Sequence, residues 1–216
     1  MITVEIWSDL VCPFCYIGKR NFEVALGRFA QKDGVKIVWK SFELDPGAKF
    51  KPGVSIHESL AAKYGQSVEW AKKATAQVSA MAAGVGLKFA IDRTANTNTF
   101  NAHRLVHLAA KHGLQDEAEE RFFAAYFVEG KQIGDKAVLT ELAGEIGIPP
   151  DETAKLLDGD GYSMEVRNDE EEGRELGVNA VPCFIINRKH MVKGAQPPAA
   201  FLKALETAAK DRSSKG

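Results

Sequence analysis

An α/β fold, built on one sheet and interrupted by a large all-helical insertion, is what this sequence predicts, and three observations predict it. The chain opens as strand, helix, strand; it closes as strand, strand, helix; between the two lies a long block whose apolar residues recur at helical spacing. Each half leaves a strand edge in need of a partner, so the simplest packing joins both halves in one sheet. The expected limits are 1–54 for the first half, 55–176 for the helical insertion and 177–216 for the second half.

Composition bounds the function. With 216 residues, 45% of them apolar, the chain is long enough to bury a full core. Its 28 basic and 29 acidic residues leave a net charge of −1, which gives no polycationic surface to capture nucleic acid or anionic membrane. Uncharged stretches such as Ala74 to Leu87 contain Gln and Ser and fall short of the roughly 18 residues a membrane span needs. The N-terminus reads as a strand rather than a secretory signal. Three cysteines are too few and odd in number for a secreted disulfide framework, so a reducing cytoplasm is the expected compartment.

In order, Ile2, Val4 and Ile6 alternate with Thr3, Glu5 and Trp7 as a two-faced strand. A helix is expected from about Pro13 to Lys32, built on Phe22, Ala25, Leu26 and Phe29 and stopped by Gly34. The second strand starts at Val35 and runs on through Phe42 and Leu44 to Asp45-Pro46-Gly47. A Ser-x-x-Glu capping box at Ser55 opens the helical block. Its expected members are Ser55 to Tyr64, Val68 to Ala83, Thr99 to His112, Asp116 to Glu129, Lys136 to Ile146, Asp151 to Leu157 and Tyr162 to Leu176. The β-branched stretch Val178 to Ile186, a turn at Asn187-Arg188-Lys189 and a strand from His190 to Lys193 follow. A final helix carries Phe201, Leu202 and Leu205, with a frayed tail from Lys210 to Gly216.

Chemistry concentrates at Cys12-Pro13-Phe14-Cys15, a Cys-x-x-Cys between a strand and a helix. A helix N-terminus presents unpaired N–H groups and a positive dipole end that favour a thiolate at Cys12, and Pro13 suits the first helical position. Cys15 lies one turn further in, on the same side, where it could displace a mixed disulfide formed at Cys12. The competing use is half of a zinc site, which wants a second pair; the other thiol is Cys183, and a histidine could complete a mixed set, but the strand-then-helix setting favours redox use. The second signal is Gly177-Val178-Asn179-Ala180-Val181-Pro182-Cys183: Val181-Pro182 is a candidate cis peptide, with an ordinary trans proline opening a strand as the alternative.

Ser8 to Lys19, together with Gly177-Val178 and Val181-Pro182, resembles the FrnE-like branch of the DsbA family in the thioredoxin superfamily, and Asn98 to Arg104 resembles a helix signature shared with the 2-hydroxychromene-2-carboxylate isomerases. The resemblance runs along essentially the whole chain. It implies a thioredoxin-like fold with a helical insertion, thiol–disulfide exchange at Cys12 and Cys15, and a cis Val181-Pro182 bond facing them. It also implies that Phe14, Val181 and Pro182 meet the substrate, the backbone before the proline pairing with an extended substrate strand. Expected partners are protein or small-molecule disulfides and thiols, with glutathione as a possible reductant or co-substrate and no other cofactor, in a monomer or homodimer. The alternative is a glutathione-dependent isomerase or transferase; such isomerases carry serine at the first cysteine position, which Cys12 does not match.

Two departures stand out. The family's buried acid lies six residues before the first cysteine, where this chain has Ile6; Glu5 is one position off and turns to the opposite face, leaving Asp9 and Glu43 as substitutes. Cys183 follows the proline and is either a small buried hydrophobe or a third thiol. Among other candidates, His103 and His107 at i,i+4 lack a third metal ligand, Asp169 to Glu172 reads as a solvated helix face beside Arg167 and Arg174, and no glycine run has phosphate-binding spacing.

Overall fold

The computed structural model describes residues 1–213. They pack as two compact units, one made of 1–42 with 167–213 and the other of 43–166.

The first unit is built on a four-stranded sheet in the order β2-β1-β3-β4, so the two ends of the chain share one sheet as expected. Strand β1 (Ile2–Ser8) runs parallel to β2 (Val35–Ser41), from Ile2 opposite Val35 to Ser8 opposite Ser41. On its other side β1 pairs antiparallel with β3 (Cys183–Ile186), which pairs antiparallel with β4 (His190–Lys193). The period of two sorts the residues into faces. Ile6 and Phe184 share one face, covered by α1 (Pro13–Arg28) and the last helix, α9 (Pro198–Ser213). There Phe184, Phe22 and Phe201 form a buried triangle with ring centroids 4.6 to 5.7 Å apart. Glu5, Trp7, Cys183 and Ile185 share the opposite face.

The second unit contains α2 (Ile56–Tyr64), α3 (Val68–Ala83), α4 (Phe100–Lys111), α5 (Gln115–Ala124), α6 (Lys136–Glu145), α7 (Pro150–Asp158) and the start of α8 (Ser163–Glu175). The capping box is formed: Ser55 Oγ accepts from Glu58 N at 3.2 Å and Glu58 Oε2 accepts from Ser55 N at 2.7 Å. Leu105, Phe122, Phe123, Leu139 and Leu142 are fully buried in its core. Arg104, also buried, donates to the carbonyls of Leu156, Gly159 and Gly161 and so satisfies the orphan acceptors at the end of α7. That gives the Asn98 to Arg104 signature a structural task inside this unit.

Several elements are shorter than their apolar pattern. Strand β2 stops at Ser41, not Leu44, because its partner β1 ends at Ser8; the ladder closes with Phe42 N donating to Ser8 O at 3.1 Å. The last strand pair of β3 with β1 is Cys183 opposite Trp7, although β1 runs on to Ser8: Pro182, next in line, has no N–H to give that ladder, and its carbonyl accepts from Gly194 N at 2.8 Å instead. Helix α1 ends at Arg28, where Phe29 turns to extended backbone, and a 3₁₀ turn follows at Lys32–Gly34. After α5 the chain winds into a π turn over Ala125–Glu129. The expected frayed tail is helical as far as Ser213, and its remainder lies outside the described residues.

The packing limits also differ from 54/55 and 176/177. Residues 43–54 go with the helices: Asn98 Nδ2 donates to Pro46 O at 3.0 Å and to Glu43 Oε1 at 3.4 Å. The later part of α8 goes with the sheet, held by Asp169 and Glu172 to Lys40 at 2.7 and 2.9 Å and by Gly173 set so close to the Trp7 indole that an added Cβ would lie 2.7 Å from Nε1. The acidic run at 169–172 is therefore partly a docking face: Asp169 is buried and also accepts from Ser41 N at 2.9 Å.

Candidate active site

The site is assembled within the sheet unit, where β1 hands over to α1. Cys12 is the N-cap of α1, with extended backbone (φ −90°, ψ 111°), and Pro13 follows at the first helical position. The Cys12 side chain makes no capping hydrogen bond to this helix end. The turn is tied down by Cys12 N donating to Asp9 O at 2.9 Å and Cys15 N donating to Cys12 O at 3.0 Å. Both cysteines are buried, at 4% and 1% exposure, and are free thiols, while Phe14 between them stands 38% exposed.

Facing them is the Val181-Pro182 peptide, which is cis. The Cys12 thiol donates to Val181 O at 3.7 Å. The approach depends on Gly18: a Cβ there would lie 3.1 Å from Pro182 Cγ and 3.6 Å from the Phe184 ring. Pro182 is fixed from its other side by Gly194 N, which donates to its carbonyl at 2.8 Å. Nothing in the reading of the sequence singled out Gly18 as a contact point, because what it meets is more than 160 residues away.

The buried thiols differ in setting. Burial pushes the Cys15 thiol well above its ordinary value; its hydrogen bond with Cys12 and the charge Cys12 would carry add to this, against smaller opposing contributions from the Asp9 backbone and the Ser8 hydroxyl. Cys183, with no exposed surface, is also raised by burial, slightly offset by Lys193. Its side chain joins Trp7, Val178 and Ile185, with Val181 packed against them, on the face of the sheet away from α1.

The candidate acids are placed elsewhere. Glu5 is engaged by Arg188, which also bonds Glu172 at 2.6 Å, so it is part of the ionic network on the α8 face. Glu43 meets Asn98 in the helical unit. Asp9 is buried directly before the site, and its carbonyl holds the Cys12 turn. In the helical unit His107 stacks on Tyr162 at 6.3 Å and His103 is buried. Among the described residues no three His, Cys, Asp or Glu side chains are grouped to hold a metal ion, and no helix is long and apolar enough to cross a membrane.

A family model, that of the DSBA-like thioredoxin domain, matches residues 3–206. The chain belongs to the DSBA-like thioredoxin domain family. Among solved structures, the probable DsbA oxidoreductase SCO1869 of Streptomyces coelicolor is 39% identical, with a TM-score of 0.92 over 97% of this chain and 91% of its own. The cytosolic disulfide reductase DsbM of Pseudomonas aeruginosa, solved with GSH, shares the DsbA-like fold at 19% identity, with a TM-score of 0.67 over 96% and 99% of the two chains. The uncharacterized protein YwbO of Bacillus subtilis (strain 168) is 30% identical over 205 residues, which is 94% of this chain and 96% of its own length. The fold of this DsbA-like chain is thus a thioredoxin-like α/β sheet with a helical insertion, as the sequence pattern led one to expect.

Proposed function

We propose that this DsbA-like chain is a thiol–disulfide oxidoreductase in which Cys12 attacks and Cys15 resolves. The observation that carries the reading is the pairing of an α1 N-terminal Cys12 with a deeply buried Cys15 one turn on, opposite the Val181-Pro182 peptide. In the reductive direction the Cys12 sulfur attacks one sulfur of a substrate disulfide, forming Cys12–S–S–R and releasing the other sulfur as a thiol. Cys15 then gives up its proton and attacks the Cys12 sulfur, closing Cys12–Cys15 and releasing R–SH. The same steps reversed oxidise a substrate dithiol. A Cys15 held protonated by burial is suited to the second step, since it stays silent until a mixed disulfide is presented next to it.

Exposed Phe14 and the backbone at Val181 and Pro182 form the face offered to protein or small-molecule disulfides and thiols. Glutathione is the proposed small-molecule reductant; the relative DsbM was solved with GSH. The cytoplasm is the proposed compartment, in keeping with the low cysteine count and with the cytosolic location of DsbM. Cys183 is assigned to packing around Trp7.

Insulin reduction and refolding of a scrambled substrate, run with wild type and Cys12→Ser beside a glutathione-conjugation assay, test this reading. Turnover of disulfides by wild type and none by Cys12→Ser is expected. An inert wild type that conjugates or isomerises glutathione adducts would establish the isomerase or transferase alternative instead.

A further inference from the structure

We infer that Ser8 is a further catalytic residue: its hydroxyl turns onto the Cys15 sulfur as that sulfur becomes charged and, with the Asp9 N–H, holds the thiolate that resolves the mixed disulfide. The inference rests on the oxidoreductase reading above and adds to it the residue that assists its second step.

Ser8 closes β1, where Phe42 N donates to its carbonyl at 3.1 Å and Ser41 lies opposite it, so its main chain is fixed. By the period of two its side chain shares a face with Val4 and Ile6, the face that α1 covers. It has no exposed surface. Among the described residues no neighbour gives Ser8 Oγ a well-formed hydrogen bond, although a buried hydroxyl without one is costly. Within its reach is Cys15, itself 1% exposed in the first turn of α1. A thiol is a weak acceptor and a thiolate a strong one, so the O–H that finds no good bond in the dithiol form gains one when Cys15 ionises. The Asp9 backbone acts on the sulfur in the same sense, and only its N–H can donate. Both favour the ionised form against the larger opposing effects of burial and Cys12. Strands β1 and β3 put no charged side chain on this face, which carries Val4, Ile6, Phe184 and Ile186, while Glu5 is engaged by Arg188 and Glu43 by Asn98. The donors at Cys15 are therefore neutral.

A bond absent in the resting thiol and formed with the charge lowers the barrier rather than the ground state. As Cys12–S–S–R is resolved, Cys15 loses its proton, the Cys15–Cys12 bond forms, the bond from Cys12 to R breaks, and R–S⁻ leaves with that proton as R–SH. In the reverse direction R–S⁻ attacks the Cys12 sulfur and Cys15 departs as the thiolate, again beside Ser8. Removing the hydroxyl lowers the thiolate population, but the thiolate that remains is the better nucleophile, so Ser8→Ala should resolve about four- to fifteenfold more slowly at pH 7.

Stopped-flow release of coloured thiolate from one equivalent of the aromatic disulfide dithiobis(nitrobenzoate) separates the steps. Attack by Cys12 frees the first thiolate and attack by Cys15 the second, the Cys15 proton passing to buffer. Reduced wild type, Ser8→Ala and Ser8→Thr are compared from pH 6 to 9. Ser8→Ala should keep the first phase, slow the second by that factor and move its pH dependence upward, whereas Ser8→Thr, which keeps the O–H, should stay near wild type. In urea, reduced Ser8→Ala should unfold no earlier than wild type, because the hydroxyl it lacks is unsatisfied in the dithiol form. An unchanged second phase, equal slowing in both variants, or earlier unfolding of Ser8→Ala would each overturn the role of Ser8 and leave the oxidoreductase reading standing. A wild type that releases only the first equivalent would instead end that reading, and the role of Ser8 with it.

Discussion

At the scale of single residues, the thiol of Cys15 sets a sign that can be measured. Its proton is held more tightly in the folded chain than in the unfolded one, by burial first and by Cys12 second. The folded state therefore carries more protons than the unfolded state once pH passes the ordinary thiol range near about 8.5, and stability falls as pH rises from there. Urea midpoints measured from pH 7 to 10 should decline more steeply for the reduced protein than for reduced Cys15→Ala; parallel curves would contradict the assignment. Burial also orders reactivity. In the native reduced protein, iodoacetamide at pH 7 should label Cys12, the least buried of the three thiols, well before Cys15 and Cys183, as peptide mass spectrometry would show. The Cys12-Pro13 start of α1 and the Val181-Pro182 motif were legible in the sequence because each is a local pattern with a local cause. The engagement of Glu5 by Arg188 was not, since it depends on a turn 183 residues away.

At the scale of elements, α8 shows how a helix that reads as solvated can be clamped to a sheet. Lys40 bridges Asp169 and Glu172, Arg188 bridges Glu172 and Glu5, and Trp7 Nε1 donates to Asp169 O at 2.8 Å beneath Gly173. An added Cβ at Gly173 would fall 2.7 Å from that indole nitrogen. Gly173→Ala should therefore destabilise the protein: displacing the indole costs about 1–3 kcal/mol and orphaning its N–H a similar amount, against about 1 kcal/mol regained in helix propensity. A net loss of about 1–5 kcal/mol in urea unfolding is expected; a gain would mean the indole is not confined. Burial pushes the Glu172 carboxyl up, but its bonds to Arg188 and Lys40 outweigh this and hold it below the usual range. Its contribution is then present above about pH 4.3 and lost as pH falls through the depressed value. Glu172→Gln should lower stability at pH 7 and flatten the decline below pH 4, a comparison of urea midpoints that an unchanged acid limb would refute. Helix ends such as the Ser55 capping box and the whole of α3 were readable from sequence, because caps and glycines act within one turn. Strand ends were harder: β2 stops where its partner β1 ends, whatever its own residues prefer, while β3 starts only after Pro182, which has no N–H to give the ladder although β1 runs on to Ser8.

At the scale of the whole molecule, the order of elements alone predicted one sheet shared by the two chain ends, and the topology agrees because unpaired strand edges leave few alternatives. The limits between the units are set by tertiary contacts that composition does not register, as at Asn98 with Pro46 and at Gly173 with Trp7. The central claim concerns the sheet unit: Cys12 alone takes the substrate sulfur, and Cys15 releases it. Cys15→Ala incubated with a peptide disulfide, followed by nonreducing digestion and mass spectrometry, tests this most directly. The account predicts a stable one-to-one mixed disulfide on Cys12 that wild type does not accumulate. An adduct on Cys183, or none on Cys12, would contradict it.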